Sequence, residues 1–197
     1  MNGAMKLHGS VALDRPLLVV ALEEEARHLH VSELPILVTG VGKVCAAAAL
    51  AALLARQRPS RIINLGTAGA LRTGLAGTQV IGRVIQHDFD EATIAELTGE
   101  HFSEPIELAA DGPVLGSGDV FVSGGPAREA LVARGVDLVD MEGYAVARVA
   151  RTFGLDVMLV KEISDGAGES AAKSWSDNLH DCADRLGAWL RTALAVS

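Results

Sequence analysis

The chain has 197 residues, of which 49% are hydrophobic and 21 are glycine, a length and composition typical of a single α/β domain. Its net charge of −8 and its scattered Lys and Arg residues argue against nucleic acid and membrane surfaces as partners, since both bind basic faces. Residues 1–16 contain no apolar signal-peptide segment, so we expect a cytoplasmic protein.

The N-terminal part alternates short apolar runs with turns of small residues. Residues 1–16 are interpreted as a loose lead-in, and residues 17–197 as one domain, since no linker or repeat divides them. The first apolar run ends in Glu23, Glu24 and Glu25, which either favour the positive end of a short helix or serve chemistry. The pattern predicts strands over residues 17–22, 36–39 and 61–65 and a helix over residues 44–56.

Two of these strands run into glycine-containing turns, at residues 40–43 and 66–70. Such turns let backbone N–H groups approach a ligand. The first turn matches neither a P-loop nor the dinucleotide fingerprint, because Cys45 stands where the fingerprint needs its third glycine. Cys45 and Cys182 lack a Cys-x-x-Cys pairing, and each is interpreted as a small buried side chain.

The second half of the chain has fewer clear turns. Residues 87–90 include metal-capable side chains, but one short cluster without a partner is interpreted as a solvated strand end. No metal and no cofactor are therefore expected. The pattern predicts a strand over residues 77–87, a surface excursion over 91–107, and helices over 127–133, 143–153 and about 176–194.

Two acids follow apolar runs that flank the helix predicted over residues 143–153. Glu142 follows the first run and Asp165 follows the second. A strand, helix and strand in this order predict a crossover with two parallel strands. Ligands bind outside the carboxyl ends of such strands, so the two acids are predicted to converge on a site. The predicted fold is a single-domain, three-layer α/β/α structure with a mainly parallel, twisted central sheet.

Six short motifs occur in one order between residues 17 and 178. They are ALEEE at residues 21–25, GVGKV at 40–44, NLGTAG at 64–69, SGDVF at 117–121, DME at 140–142 and ISD at 163–165. Together they resemble the nucleoside phosphorylase/nucleosidase superfamily, most closely the methylthioadenosine/S-adenosylhomocysteine nucleosidases.

This resemblance implies hydrolysis of the N-glycosidic bond of an adenine-type purine nucleoside. Asp165 would hold and protonate the purine N7, Glu25 would deprotonate the attacking water, and Glu142 would bind the sugar hydroxyls. The protonated leaving group and the activated water lie on opposite faces of the sugar in such a reaction. The other implied binding residues are Gly66 and Thr67 near the ribose, Met141 beside Glu142, Phe121 and Val122 at the purine, Ser164 beside Asp165, and Val41 and Trp175 at the 5′ pocket. Ordinary core packing is an equal alternative for Val41 and Trp175.

Water is the expected nucleophile because of one position. Phosphorylases of the superfamily commonly carry an arginine where this chain has Asn64, and losing that charged fork removes a bidentate phosphate contact. The alternatives are a phosphate-dependent purine nucleoside phosphorylase and a nucleoside-binding module without turnover.

Some positions depart from the pattern of these relatives. Lys161 stands where they usually have Arg, and Glu162 replaces a small residue, which predicts a different wall beside Asp165. The short segment between Glu25 and Thr39 predicts that one strand region is reduced. The resemblance also implies a homodimer, in which residues 91–107 would help a neighbouring subunit close the 5′ pocket.

Overall fold

The computed structural model describes residues 5–195, and the structural statements below concern those residues. The helices are α1 (Glu23–Ala26), α2 (Lys43–Leu54), α3 (Glu91–Thr98), α4 (Gly125–Ala133), α5 (Gly143–Thr152) and α6 (Ala171–Ala195). The strands are β1 (Lys6–His8), β2 (Leu17–Val20), β3 (Ile36–Val38), β4 (Ile62–Ala70), β5 (Thr78–Val80), β6 (Arg83–Gln86), β7 (Ile106–Glu107), β8 (Val114–Ser117), β9 (Leu138–Asp140) and β10 (Val157–Asp165).

Alternate residues of the central strands face two separate hydrophobic cores. Leu17 and Val19 of β2 belong to the core that includes helices α2 and α5. Leu18 and Val20 belong to the core on the other face, with α1 and α6. Because successive strand residues point to opposite faces, an apolar run buries both faces of the sheet under helices. The α/β class and the three layers are as predicted.

Strand β4 is the centre of the sheet. Its first part lies between β2 and β10, both parallel to it, and at its end Gly69 and Ala70 pair antiparallel with β9. The sheet continues from β9 through β8 and β6 to β7, and from β2 through β3 to β1. Five of the nine strand pairings within residues 5–195 are parallel, so the sheet is mainly parallel, as predicted, with antiparallel pairings among the rest.

The predicted parallel crossover before Asp165 is wrong in its strand pairing. Strands β9 and β10 each pair with β4 rather than with each other, β9 antiparallel and β10 parallel. The intervening α5 packs in the core shared with α2, so the chain passes over the sheet between them. The predicted order of strand, helix and strand is correct. That order does not determine which strand each of the two pairs with in the sheet.

The strand predicted over residues 77–87 is two strands. β5 pairs with β10, and β6 pairs with β8. The chain bends between them at Ile81 and Gly82, whose N–H groups donate to the carbonyl oxygens of Leu159 and Pro113 at 3.0 and 3.1 Å. The pairings therefore run from β5 through β10, β4, β9 and β8 to β6, and the bend at Ile81 and Gly82 joins β5 to β6 through the backbone.

Other elements differ from the sequence prediction at their ends. The lead-in contains β1, which pairs antiparallel with β3, and residues 91–107 contain α3 and β7 rather than an irregular excursion. The last helix begins at Ala171 and includes Trp175. Cys182 is buried as predicted, but Cys45 is exposed. The segment between α1 and β3 holds a short 3-10 turn, His30–Ser32, in agreement with the reduced strand region. None of the helices in residues 5–195 is long and apolar enough to span a membrane.

Candidate active site

A cavity of about 240 Å³ lies at the edge of the sheet where β2, β4, β9 and β10 end. This is the edge at which open α/β sheets bind ligands. Gly66 is the one predicted site residue that does not line the cavity. The predicted residues that line it are Glu25, Val41, Thr67, Phe121, Val122, Met141, Glu142, Ser164, Asp165 and Trp175.

Glu25 lies on α1, just after β2, and its side chain is buried. Its Oε2 accepts hydrogen bonds from the N–H groups of Ala21 and Leu22 at 3.0 and 3.1 Å, and its Oε1 accepts one from the N–H of Thr67 at 3.1 Å. Burial raises the pKa of Glu25 above its ordinary value, although the charge of Lys161 and these donors oppose the rise. Glu25 is thus a fixed carboxyl with increased proton affinity, which suits a general base.

Trp175 of α6 closes the cavity beside Thr67. Its Nε1 donates to the Thr67 hydroxyl at 3.0 Å, and that hydroxyl lies 3.5 Å from Oε1 of Glu25. The neighbouring Gly66 allows a close approach, because a Cβ there would lie 3.2 Å from Oε1 of Glu25 and 3.3 Å from Nζ of Lys161. Gly66 therefore lets β4 pass close to two charged groups.

A buried lysine lies beneath the cavity. Nζ of Lys161 is 2.8 Å from Oδ2 of Asp140 and donates to Oδ1 of Asn64 at 2.8 Å. Burial alone would lower the pKa of Lys161, but the carboxylates of Asp140, Glu142 and Glu25 outweigh it and leave that pKa raised. Lys161 thus stays charged and offsets the negative charge of this cluster.

Glu142 lies at the start of α5, directly after β9. Its Oε1 accepts a hydrogen bond from the N–H of Gly42 at 2.7 Å. Burial, together with repulsion from Asp140, raises the pKa of Glu142 to about 8. Besides its ion pair, Asp140 accepts hydrogen bonds from the N–H of Gly143 and the hydroxyl of Ser117. Glu142 is therefore a buried carboxyl at the cavity with increased proton affinity.

A β-bulge aims two consecutive side chains into the cavity. The pairing of β10 with β4 shifts just before Asp165, which lies opposite Gly69. Ser164 has no residue opposite it in the register, although its hydroxyl lies 3.3 Å from the carbonyl oxygen of Ala68. Strict alternation would send Ser164 and Asp165 to opposite faces, whereas a bulge re-aims the strand. The Ser164 hydroxyl donates to Oδ2 of Asp165 at 2.8 Å, and the N–H of Ala167 donates to Oδ1 at 2.7 Å. These donors fix the carboxyl at the cavity.

One side of the cavity is apolar and open. Val120, Phe121 and Val41 line it with 64, 43 and 45% of their surfaces exposed, whereas Val122 is buried. The volume is also slightly below the usual range for small-molecule sites of about 300–1,000 Å³. The apolar side is therefore incompletely enclosed within one chain.

Three loops meet at the rim in an arrangement that the sequence analysis missed. The Lys43 ammonium pairs with Asp88 and lies 3.6 Å from Oδ2 of Asp119. The N–H of Lys43 donates to Oδ1 of Asp119, and the N–H of Asp119 donates to Oδ2 of Asp88, both at 2.8 Å. This ties the glycine turn before α2 to the loop that carries Phe121. The three side chains are far apart in the chain, so no local spacing indicated the cluster.

Glu162 does not form the wall beside Asp165. It is fully buried, and its carboxylate accepts hydrogen bonds from Thr78 at 2.6 Å and from Arg185 of α6 at 3.1 Å. Neither Lys161 nor Glu162 lines the cavity. The two departures from the family pattern therefore do not change the cavity wall beside Asp165 by direct contact.

Carboxyl groups and apolar surface dominate the cavity. Within residues 5–195, no Lys or Arg side chain lines it. Asn64, at the position that distinguishes phosphorylases, is buried and bonded to Lys161 and to the carbonyl of Val19 at 2.9 Å. A phosphate dianion in the cavity would therefore be repelled by the acids without a cationic lining residue to offset the repulsion. A neutral water molecule would not be repelled in this way.

Comparisons with known proteins agree with this geometry. A sequence profile described as phosphorylase superfamily matches residues 19–111 and 109–195. The 5′-methylthioadenosine/S-adenosylhomocysteine nucleosidase of Marinomonas sp. (strain MWYL1) is 30% identical over 183 aligned positions, which cover 81% of this chain and 79% of that protein.

Solved structures show the same fold. A Helicobacter pylori nucleosidase mutant with 5′-methylthioadenosine in the active site has a TM-score of 0.84 at 21% identity, covering 94% of this chain and 100% of that one. Futalosine hydrolase of Helicobacter pylori strain 26695 has a TM-score of 0.84 at 21% identity, covering 94% and 99%. The chain therefore belongs to the phosphorylase superfamily, and to the branch of it whose members are nucleosidases.

Proposed function

We propose that this protein hydrolyses the N-glycosidic bond of an adenine-type nucleoside such as 5′-methylthioadenosine or S-adenosylhomocysteine. The observation that carries the proposal is the convergence of Glu25, Glu142 and Asp165 on one cavity. The Marinomonas relative, a 5′-methylthioadenosine/S-adenosylhomocysteine nucleosidase, supports the choice of base and sugar substituent.

Glu25, the proposed base, and Asp165, the proposed acid, contact β4 at separate residues. Glu25 is bonded to Thr67, and Oδ1 of Asp165 lies 3.1 Å from where a Cβ of Gly69 would be. Thr67 and Gly69 are two residues apart on β4, so the two carboxyls reach the cavity from separate points of the strand. This arrangement supports a reaction in which one acid serves the water and the other serves the departing base.

The proposed step uses one water molecule. Glu25 accepts a proton from that water as its oxygen bonds to C1′ of the ribose. The bond from C1′ to N9 breaks, and Asp165 donates a proton to N7, so that the base leaves neutral. Each such proton transfer typically contributes about 10²–10⁴-fold to the rate.

The ribose is proposed to lie between these groups. Glu142 would hydrogen-bond a sugar hydroxyl through Oε2 while the N–H of Gly42 holds Oε1, and Met141 would pack beside the sugar. Phe121 would stack on the purine, with Val122 behind it. Val41 and Trp175 would line the 5′ substituent.

Hydrolysis is preferred over phosphorolysis because the described cavity has no cationic side chain. A homodimer is also proposed, because Val120, Phe121 and Val41 leave the apolar side of the cavity exposed in one chain. Light scattering would test the dimer, and a monomer at assay concentration would contradict it.

The activity test is base release from 5′-methylthioadenosine, S-adenosylhomocysteine, adenosine and futalosine, with and without phosphate. We expect release of adenine without phosphate. Asp165→Asn should lower the rate by at least about 10²-fold with little change in stability, because the amide cannot supply the proton. Asp177→Asn, on the exposed part of α6, is the matched control and should retain full activity.

Three outcomes would contradict the proposal. Base release that requires phosphate would indicate a phosphorylase, and nucleoside binding without base release would indicate a binding module. An Asp165→Asn variant with wild-type activity would remove the assigned acid.

A further inference from the structure

Two histidines and an aspartate cluster outside the cavity, with His180 and Asp184 on α6 and His28 in the chain after α1. Nε2 of His28 lies 3.1 Å from Oδ1 of Asp184, and Nε2 of His180 lies 3.8 Å from Oδ2 of the same carboxylate. The candidate ligand atoms of the three residues lie within 4.8 Å of one another. None of the three lines the cavity, so the nucleosidase chemistry does not account for the cluster.

The backbone holds this cluster in place. His180 and Asp184 are four residues apart on α6, which puts them on one helix face. Gly187 continues that face, and a Cβ there would lie 2.8 Å from the carbonyl oxygen of His28 and 2.9 Å from its Cβ. Glycine at this position therefore lets the chain after α1 pack directly on α6 and fixes His28 beside the other two residues.

One ring nitrogen of His28 faces the Asp184 carboxylate without a well-formed hydrogen bond. Among the described residues, Nε2 of His28 is buried yet makes no hydrogen bond of acceptable geometry, despite its proximity to Asp184. A buried polar atom without a partner is costly, and such an atom in a native structure calls for an explanation, such as an ion. The rings of His28 and His180 meet edge to face with centroids 5.5 Å apart, so both imidazoles border the same space.

We propose that His28, His180 and Asp184 bind a divalent transition-metal ion of the Zn²⁺ type. Metal–nitrogen and metal–oxygen bonds of about 2.0–2.2 Å in a tetrahedron put ligand atoms about 3.3 Å apart, close to the 3.1 Å between Nε2 of His28 and Oδ1 of Asp184. Nε2 of His180 lies 3.8 Å from the other oxygen, Oδ2, so each imidazole faces a different oxygen of the carboxylate. Imidazole donors select Zn²⁺, Ni²⁺, Co²⁺ or Cu²⁺ over Mg²⁺ and Ca²⁺, which prefer oxygen ligands. Water completes the coordination, since His180 and Asp184 are exposed.

The ion would link the chain after α1 to α6. Its role is binding and stabilisation at this surface, because the cluster lies outside the cavity. A ligand that binds the folded chain better than the unfolded one raises the unfolding temperature.

The test is calorimetric titration of the full chain, prepared without a histidine tag and treated with chelator, using ZnCl₂ and then MgCl₂. We expect one Zn²⁺ per chain, a higher melting temperature with Zn²⁺, and no comparable response to Mg²⁺. His180→Ala should weaken Zn²⁺ binding at least about tenfold, because one of three protein ligands is lost. This variant changes an exposed side chain, so the fold should persist.

The matched control is His101→Ala, which removes an exposed histidine paired with Glu91 at 3.0 Å elsewhere on the surface. It should leave Zn²⁺ binding unchanged. The proposal is overturned if the chain does not bind Zn²⁺, if His180→Ala binds it as tightly as the unaltered chain, or if His101→Ala weakens binding equally. These outcomes leave the proposed nucleosidase activity untouched, because base release is not the readout.

Discussion

Replacing Lys161 with methionine should destabilise the protein strongly. The ammonium is 1% exposed and bonded to Asp140 and Asn64, both at 2.8 Å. Methionine has a similar length but no charge, so the buried carboxylate would lose its partner while packing changes little. Breaking a buried ion pair by removing one partner typically costs about 3–5 kcal/mol. For a chain of this size, each kcal/mol lowers the melting temperature by about 2–4 °C, which gives a fall of roughly 6–20 °C.

The loss of stability caused by Lys161→Met should grow as the pH rises. Lys161 opposes the increase in the pKa values of Glu25 and Glu142, so its removal raises both further. A carboxyl whose pKa is higher in the folded than in the unfolded chain contributes stability below its unfolded pKa, which is lost as pH rises through the folded pKa. The difference in melting temperature between variant and unaltered protein should therefore be larger at about pH 8 than at about pH 5.

Differential scanning fluorimetry or calorimetry at both pH values measures these shifts. Lys161→Arg keeps the charge and should retain most of the stability. Lys6→Met is the matched control, since Lys6 pairs with Glu23 at 2.8 Å on the surface, where ion pairs contribute about 0–1 kcal/mol. If Lys161→Met were no more destabilising than Lys6→Met, the buried cation would not hold this cluster together.

Three further variants test single groups. Glu25→Gln should lower turnover at least about 10²-fold, whereas Glu24→Gln, exposed on the same helix, should not; similar rates for both would contradict a base at Glu25. Glu142→Gln should reduce the fall in melting temperature between about pH 5 and pH 8, because the raised pKa of Glu142 costs at most about 1.4 kcal/mol per pH unit in that window; unchanged slopes would refute it. Trp175→Phe should raise KM several-fold, because the Thr67 hydroxyl at the pocket loses its indole N–H donor, and Trp189→Phe should leave KM unchanged; equal KM values would argue against a pocket role.

The position of the acids could be predicted from the sequence, and their surroundings could not. Glu142 follows the buried strand β9 and Asp165 ends β10, and the rule that ligands bind at such strand ends placed them together. The bulge at Ser164 left no periodic signal, because alternation predicts either Ser164 or Asp165 at the cavity but not both. A lysine inside the apolar strand β10 was a visible anomaly, but its partner Asp140 is distant in the chain.

Strand partners were the weakest part of the prediction, for a related reason. Strand β1 exists because it pairs with β3, and its three residues are too few to show a hydrophobic periodicity in the sequence. The division of residues 77–87 depends on which carbonyl groups receive the N–H groups of Ile81 and Gly82. Such contacts are set by the whole sheet rather than by the local sequence.

Lys161 and Glu162 are neighbours on β10, yet each is buried on its own face of the sheet with an oppositely charged partner, Asp140 for the lysine and Arg185 for the glutamate. A slip of β10 by one residue during folding would turn both side chains over. Glu162 would then enter a cluster of carboxylates, and Lys161 would meet a guanidinium. Repulsion between like charges would thus destabilise the misaligned chain on both faces of the sheet. This pair of opposite charges therefore favours the native register of β10, which apolar residues of similar size could not do.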